Sequence, residues 1–211
     1  MEQSILLVDK PVGFSSFQIV EILKKRYKKV GHTGTLDPSA SGLLIILINQ
    51  ATKRFEEFQK YEKEYEGEFI LGMTSETYDI ASPPLIKVEN NKIGIEQLKK
   101  VSQEFVGEIQ QIPPRFSALK YQGERLYKLV QKNVDITPAP RQVLVKSFEI
   151  IDGTNPIFRF QTVVGKGVYI RSLINDLGIR LGCGATLLSL RRLRIGDYHI
   201  TQAKKIGELF D

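Results

Sequence analysis

The run Leu43–Ile48, LLIILI, constrains the fold of this chain more than any other segment. A helix that spans a membrane needs about 20 apolar residues, so the run is far too short to be one. A half-exposed strand or an amphipathic helix would interrupt the run with polar residues. A strand that is covered on both faces accepts an unbroken apolar sequence. The run therefore predicts a central strand with packed layers on either side.

The segment before this strand, GHTGTLDPSASG, is rich in turn formers and carries one of the two histidines of the chain. Pro38 biases Asp37 away from the helical region, so we expect a loop that projects the carboxylate. From the residues alone two interpretations stay open: Asp37 faces a cleft, or it closes an Asx turn. The role of His32 also stays open: it is a base, a ligand, a stacking surface or a plain hydrogen-bonded residue.

Periodicity elsewhere predicts both helices and strands. The helices are SFQIVEILKKRYKK, capped by Ser15 or Ser16, GIEQLKKVSQEFVG and VYIRSLINDLGIRLG; the strands include SILLVDK, KEYEGEFILG, RQVLVKSFEIID and PIFRFQTVV. In the first helix, the core-facing residues are expected to be Phe17, Val20 and Leu23. The pattern predicts an α+β fold with one long, mixed, mostly antiparallel sheet flanked by helices, formed as a single domain over residues 1–211.

Composition limits the class of protein. The 211 residues are 42% hydrophobic, enough for a packed core. One cysteine, Cys183, cannot form an internal disulfide, and no Cys/His cluster suits zinc, which is typical of a reducing compartment. The start, MEQSILLVDKP, lacks the pattern of a signal peptide. We therefore expect a cytoplasmic protein with no membrane segment and no metal site.

Charge is distributed unevenly along the chain. Residues 1–112 hold 14 basic and 16 acidic side chains, whereas residues 113–211 hold 16 and 8. A basic half favours a polyanionic partner, although a solubilising surface is the alternative. The segment PRFSALKYQGERLYK interleaves basic and aromatic residues, which suits phosphate contact and base stacking but is also found in ordinary amphipathic segments.

Two further segments carry candidate functional residues. GKGVYIRSL places Tyr169 and Arg171 two positions apart at a strand-to-helix junction, where the arginine either pairs with a distant carboxylate or is solvated. Tyr65 lies on the apolar side of KEYEGEFILG, for which core packing is the default interpretation. No segment has the spacing of a P-loop or of a dinucleotide-binding glycine motif.

Taken together, several segments resemble in order and spacing the motifs of the TruB family of bacterial tRNA pseudouridine-55 synthases. They are LLVDKPVGFSS, GHTGTLDPSASGLL, ATK, KEYEGEFILG, QIPPRFSALKYQGERLY, GKGVYIRSL and LGCGATLLSLRRL. The resemblance implies the pseudouridine synthase catalytic fold and the isomerisation of one uridine in the T loop of tRNA. It also implies base flipping, no cofactor and the T arm of tRNA as partner. We expect a monomer, although the sequence leaves the oligomeric state open.

The resemblance assigns roles to individual residues. Asp37 is the essential carboxylate, Arg171 its ion-pair partner, and Tyr65 the ring that stacks on the target base and handles the C5 proton. The other residues implied to bind substrate line the base pocket or contact phosphates: His32, Lys10, Lys53, Tyr169, Leu190, Lys120 and Arg191. Further expected phosphate contacts are Arg115, Arg125 and Arg192.

The chain departs from the family pattern in one internal segment, MTSETYDIASPP, which keeps Thr77 and Asp79 but not a final glycine. We expect this change to reshape a surface turn. The small C-terminal RNA-binding PUA domain of many relatives is expected to be absent. Two other functions stay open: a non-catalytic protein that binds or folds RNA on the same scaffold, and the same reaction on an RNA that imitates a T arm.

Overall fold

The computed structural model describes residues 4–87 and 93–209. Clustering of residue contacts divides the chain into two compact units. Unit 1 comprises Met1–Gly67, Gln161–Lys166 and Ser189–Asp211, and unit 2 comprises Glu68–Phe160 and Gly167–Leu188. Each unit is therefore assembled from segments that lie far apart in the sequence.

The described residues form strands and helices in both units. The strands are β1 (Ser4–Lys10), β2 (Val30–His32), β3 (Ser41–Ile48), β4 (Lys63–Leu71), β5 (Met73–Ser75), β6 (Pro84–Lys87), β7 (Gly107–Gln111), β8 (Lys120–Tyr121), β9 (Glu124–Arg125), β10 (Arg141–Thr154), β11 (Ile157–Val164), β12 (Ala185–Ile195), β13 (Tyr198–His199) and β14 (Lys204–Lys205). The α-helices are α1 (Ser16–Lys24), α2 (Phe55–Gln59), α3 (Ile95–Gln103), α4 (Leu126–Gln131) and α5 (Ile170–Arg180). The 3₁₀-helices are Asn49–Arg54, Ile200–Gln202 and Ile206–Leu209.

The main sheet has ten strands, in the order β14-β1-β3-β12-β4-β11-β10-β7, with β2 beside β3 and β13 beside β12. Strand β3 runs antiparallel to β1 and β2, and β10 runs antiparallel to β7. The pairs β1–β14 and β3–β12 are parallel. This mixed sheet with flanking helices confirms the predicted fold class. None of the helices within the described residues is long and apolar enough to cross a membrane.

The core of unit 1 is built on both faces of β3. On one face, Leu44, Ile46 and Ile48 pack in a cluster with α1 residues. On the other face, Leu43, Ile45 and Leu47 pack in a second cluster that includes Phe58 of α2. Successive side chains of a strand point to opposite faces, so the unbroken run LLIILI supplies both clusters. The prediction of a strand covered on both sides is confirmed.

Helix α1 begins with a capping box. The hydroxyl of Ser15 accepts a hydrogen bond from the Gln18 amide, and the Gln18 side chain accepts one from the Ser15 amide. Ser15 is thus the one of the two expected serines that caps the helix. The buried residues of the helix are Ser16, Ile19, Val20 and Leu23. Phe17, expected in the core, is 60% exposed, so that prediction is wrong. It lies roughly a third of a turn from the centre of the buried stripe.

Unit 2 has an aromatic core. Phe69 and Phe158 stack with ring centroids 6.0 Å apart, and Phe148 meets Phe160 edge to face at 5.9 Å. Helix α5 then packs against the start of β12 at a glycine: a Cβ on Gly178 would lie 2.1 Å from the Ala185 nitrogen. This close packing fixes α5, whose first turn carries the arginine of the expected active site.

Candidate active site

The loop that carries Asp37 is fixed at its entrance by its neighbours in unit 1. His32 ends β2, which pairs with Ile46 of β3, and the Thr33 amide donates to the Ile45 carbonyl at 3.1 Å. The buried hydroxyl of Ser16 accepts from the Leu36 amide at 2.8 Å and donates to the Leu36 carbonyl at 3.1 Å. The first turn of α1 therefore holds the residue immediately before Asp37.

The remainder of the loop is a tight turn. The Ala40 amide donates to the carbonyl of Asp37 at 3.0 Å, and the Gly13 amide donates to the carbonyl of Pro38 at 2.8 Å. Asp37 itself is half-buried. The turn formers of the sequence thus produce a loop whose backbone is tied at several points, which keeps the carboxylate in place.

One glycine after the loop permits two strands to approach closely. Gly42 has φ of +106°, and a Cβ there would lie 2.3 Å from the Arg192 carbonyl oxygen. The parallel register of β3 and β12 pairs these two residues. A side chain at this position would push β12 away from β3, so the glycine is what brings Arg192 to the start of β3.

Lys10 is a fully buried cation at the end of β1. Its ammonium donates to the carbonyls of Pro11 at 2.9 Å and Phe14 at 2.6 Å. Burial lowers the pKa of Lys10 to about 8; the charge of Asp37 acts in the opposite direction, and that of Arg192 lowers the pKa further. Lys10 therefore interacts electrostatically with both the carboxylate of Asp37 and the buried guanidinium of Arg192.

Tyr65 and Arg192 meet in the same unit. The guanidinium of Arg192 is 1% exposed and donates to the carbonyls of Leu43 at 2.7 Å and Gly34 at 3.1 Å. Its third contact is the hydroxyl of Tyr65 at 3.5 Å, and its carbon centre lies 6.0 Å from the centroid of that ring. Arg192 therefore links the start of β3, the Asp37 loop and the buried tyrosine.

The expectation that Arg192 contacts phosphate at the surface is wrong, because the side chain is buried. Its neighbour Arg191 points to the other face of β12 and forms a two-pronged ion pair with Asp9, at 2.8 and 3.1 Å. Alternation along a strand puts adjacent side chains on opposite faces. The period of β12 was the sequence signal that could have separated the two arginines.

A third cation completes this part of unit 1. The ammonium of Lys63 donates to the carbonyls of Gln59 and Tyr61. Burial lowers the pKa of Lys63 to about 8, with further lowering by the charges of Arg192 and Lys166. Three cations, Lys10, Lys63 and Arg192, thus lie in the part of unit 1 that holds Tyr65, a feature that sequence reasoning missed.

In unit 2, Arg171 is held in a cradle of carbonyls. Its guanidinium is 5% exposed and donates to the carbonyls of Thr77 and Phe116, each at 2.9 Å. Its Nε lies 3.9 Å from a carboxylate oxygen of Asp79. The other oxygen of Asp79 accepts from the Thr77 hydroxyl at 2.6 Å and from the Ala81 amide at 3.0 Å.

The retained residues of MTSETYDIASPP lie in its buried part, whereas the turn after Asp79, where the family glycine is missing, includes the exposed Ile80. The expected change in a surface turn stays a prediction. Thr77 and Asp79 are buried, and both contact Arg171 or its partner. The Tyr78 carbonyl also accepts from the Leu187 amide at 3.1 Å, which ties the segment to β12. The two retained residues of this segment are thus the ones that hold the arginine.

Tyr169 precedes α5 and is held through its backbone. The side chain of Gln111 accepts from the Tyr169 amide at 2.8 Å and donates to the Tyr169 carbonyl at 3.2 Å. Gln111 is buried at the end of β7. Gln111 opens the segment QIPPRFSALKYQGERLY, but the sequence assigned it no role, because nothing in that segment shows that its side chain reaches Tyr169.

The other expected site residues are placed as follows. His32 and Leu190 are half-buried, Lys53 is exposed on the 3₁₀-helix Asn49–Arg54, and Lys120 is exposed on the hairpin of β8 and β9. The structure brings Asp37, Lys10 and Tyr65 together in unit 1 through Arg192, and it places Tyr169 and Arg171 in unit 2. The ion pair of Asp37 with Arg171 stays a prediction, since the two residues belong to different units.

Comparison with known proteins identifies the class. Residues 21–170 match the model of the TruB family pseudouridylate synthase N-terminal domain, and residues 171–211 match that of the tRNA pseudouridylate synthase B C-terminal domain. The chain therefore belongs to the TruB family of pseudouridylate synthases.

Individual relatives agree with this. The chain is 41% identical to the tRNA pseudouridine synthase B of Endomicrobium trichonymphae, over 97% of the chain and 90% of that protein. It is 38% identical to the one of Chloroherpeton thalassium, over 98% and 88%. Among solved structures, a chain of a Cbf5-Nop10-Gar1 complex superposes with a TM-score of 0.74 at 28% identity, over 97% of this chain and 53% of that one.

Proposed function

We propose that this protein converts uridine 55 in the T loop of tRNA to pseudouridine, with Asp37 as the catalytic carboxylate. The observation that carries the proposal is the arrangement in unit 1, where Asp37 lies within charge range of Lys10 and the same buried Arg192 contacts Tyr65. Two relatives at 38–41% identity that carry the name tRNA pseudouridine synthase B support tRNA as the substrate.

The reaction moves one base on its sugar. The bond from N1 to C1′ breaks, the base turns, and C5 forms the new bond to C1′. The hydrogen on C5 leaves as a proton and N1 takes up a proton, so the atoms of substrate and product balance without an oxidant. An ionised Asp37 acts either as the nucleophile at C1′ or as the counter-charge of an oxocarbenium-like sugar.

The cations in the part of unit 1 that holds Tyr65 suit this reaction. When the bond to C1′ breaks, the electron pair stays with the base, and the detached uracil carries negative charge. Preorganised cations in a site from which water is excluded stabilise such developing charge more than water does. Arg192 and Lys10, both buried, are the groups of unit 1 placed to do this.

The target uridine must leave the stack of the T loop to reach Asp37. Flipping a nucleotide costs a few kcal/mol, which stacking on an aromatic ring and contacts to the base must offset. Tyr65 supplies the ring, and its hydroxyl is held by Arg192 at 3.5 Å. Because Tyr65 is buried in the fold, its ring loses little conformational entropy when a base stacks on it.

The test is incubation of the protein with an unmodified tRNA transcript, followed by mapping of pseudouridine at single-nucleotide resolution. We expect modification at position 55 alone. The matched control is a transcript with cytidine at that position, which should stay unmodified. Absence of pseudouridine from the first transcript, or modification only at other uridines, would contradict the proposal.

A further inference from the structure

The end of α1 carries a basic run that the reaction does not use. The sequence from residue 24 to residue 29 is KKRYKK, which places five cations in six positions. All five are exposed: Lys24, Lys25, Arg26, Lys28 and Lys29. We call these five residues the basic run.

Little negative charge offsets the basic run. Within the described residues, the basic run forms one ion pair, between Lys24 and Glu21 at 2.8 Å. Both of these side chains are about half exposed, and an exposed pair of this kind stabilises by about 1 kcal/mol at most. The run therefore keeps a strong positive potential, which attracts polyanions from solution.

Aromatic rings accompany these cations. Phe17 is 60% exposed, and the Lys24 ammonium lies 5.4 Å from the centroid of its ring. The Arg26 guanidinium lies 5.9 Å from the ring of Tyr27. Next to them is a groove of about 580 Å³, lined by Phe14, Gln18, Glu21, Ile22, Lys24 and Lys25. Tyr27 is half-buried against the core of unit 1, so Phe17 is the exposed ring beside these cations. Cations beside an exposed ring suit contact with nucleic acid backbones and bases.

An RNA fits this surface better than a membrane does. A helix that lies on a membrane needs a free apolar face, whereas Ile19, Val20 and Leu23 of α1 are buried in the core of unit 1. The solvent-exposed face of α1 carries charged side chains and the exposed ring of Phe17. Phosphates of RNA provide the complementary charge.

The position of the basic run relates it to the candidate active site. The Lys29 carbonyl accepts a hydrogen bond from the Asn49 amide at 2.8 Å, and Asn49 opens the 3₁₀-helix that carries Lys53. At its other end, α1 is tied to the Asp37 loop through Ser16 and Leu36. The nine residues of α1 span about 13 Å. The run is thus adjacent to an expected phosphate contact and about one short helix away from the Asp37 loop.

We propose that the basic run binds phosphates of the RNA substrate that flank the nucleotide held at Asp37, as a continuation of the contact expected of Lys53. This inference rests on the proposed function, because it takes the substrate to be an RNA. Each phosphate contact by a cation releases condensed counterions, so such contacts are measured by how steeply affinity falls with salt.

The experiment compares two double variants that remove equal charge from unit 1. Lys28→Gln/Lys29→Gln neutralises part of the basic run, and Lys204→Gln/Lys205→Gln neutralises two adjacent exposed lysines of β14. The probe is an unmodified tRNA transcript, bound across a salt series by fluorescence anisotropy. We expect the first variant to lower the slope of log affinity against log salt by about 1.5, and to weaken binding severalfold at low salt. The control should match the parent.

The second readout is the rate of pseudouridine formation at saturating tRNA. It should stay within about twofold of the parent in the first variant, because Lys28 and Lys29 follow the C-terminal end of α1, whereas the first turn of α1 contacts the Asp37 loop. An unchanged salt slope, an equal change in the control, or a loss of rate with binding intact would each overturn the proposal. Binding of the parent to anionic lipid vesicles that the first variant loses, with tRNA affinity unchanged, would also overturn it. A parent that forms no pseudouridine would instead count against the proposed function.

Discussion

Two buried arginines, Arg171 in unit 2 and Arg192 in unit 1, have different electrostatic surroundings. Arg171 donates to two carbonyls and has the carboxylate of Asp79 at 3.9 Å. Arg192 also donates to two carbonyls, but the charged groups that interact with it include the cations Lys10 and Lys63. The first guanidinium has a carboxylate beside it, whereas the second lies near two other cations, one of which also interacts with Asp37.

The difference indicates different tasks. A guanidinium held by carbonyls and a carboxylate is fixed in direction, which suits the orientation of a partner group through its planar fork. A guanidinium among other cations is costly in the free protein and becomes favourable when negative charge arrives. Arg171 is therefore expected to act by geometry, and Arg192 by charge and by its hold on Tyr65.

The largest effect is expected from a substitution that disrupts the hydrogen-bond geometry of Arg171. Arg171→Lys keeps the charge but cannot reproduce two donations to the carbonyls of Thr77 and Phe116 in a fixed plane. We expect single-turnover pseudouridine formation to slow by on the order of 100-fold, since small misplacements of catalytic groups have effects of that size. Thermal unfolding checks that the variant is folded. A rate within a few-fold of the parent would remove the geometric role.

The second prediction uses the adjacent arginines of β12. Arg192→Gln leaves buried carbonyls of Leu43 and Gly34 with fewer donors, and we expect the free energy of unfolding to fall by about 2–3 kcal/mol. Arg191→Gln breaks a partly exposed pair with Asp9 and should cost about 1 kcal/mol or less. Urea denaturation measures both.

Equal destabilisation by the two substitutions would contradict the burial of one arginine and the partial exposure of the other. Arg192→Lys sharpens the result, because it retains the charge without the fork. We expect it to recover part of the activity that Arg192→Gln loses while remaining less stable than the parent. Full recovery of stability by lysine would show that the two carbonyl contacts contribute little.

The smallest expected effect concerns pH and Lys10. The pKa of Lys10 is about 8 in the folded protein and 10.5 for an ordinary lysine, so the unfolded chain holds more protons between these values. Stability linked to this group therefore rises as pH increases from about 8 to 10.5 and is lost again as pH falls back to about 8. Relative to Lys10→Met, the parent should gain on the order of 1–2 kcal/mol across this window.

The measurement is urea denaturation of both proteins at pH 8 and pH 10.5. The pKa of Lys63 is also about 8, but Lys63 is present in both proteins. The difference between their free energies of unfolding therefore reports on Lys10 alone. Lys205→Met, which removes an exposed lysine, serves as the control and should follow the parent. Equal pH dependence in Lys10→Met and in the parent would contradict the burial of a charged ammonium beside Arg192.

Sequence patterns determined much of the fold because they report local physics. LLIILI predicted a strand buried on both faces, and the packing clusters on the two sides of β3 confirm it. One of two serines was expected to cap α1, and Ser15 does so. The placement of Phe17 failed because a stripe through residues three apart has several possible centres, and only the packing of α1 on β3 selects one.

The candidate site was predicted less completely. The resemblance to family motifs singled out Asp37, Tyr65 and Arg171. The spacing of the motifs could not show which side chains surround each of them. Arg192, Asp79 and Gln111 act through contacts with residues 127, 92 and 58 positions away, respectively. Contacts of this range depend on the strand order of the sheet, which no local pattern encodes.

The most direct test of the account is the substitution Asp37→Asn, assayed with unmodified tRNA under single-turnover conditions. An amide has the shape of the carboxylate but is a poor nucleophile, so we predict that pseudouridine at position 55 falls below detection. Binding of the same tRNA, measured in parallel by fluorescence anisotropy, should stay within a few-fold of the parent. Turnover by Asp37→Asn at a rate comparable to the parent would contradict the assignment of Asp37 as the catalytic carboxylate.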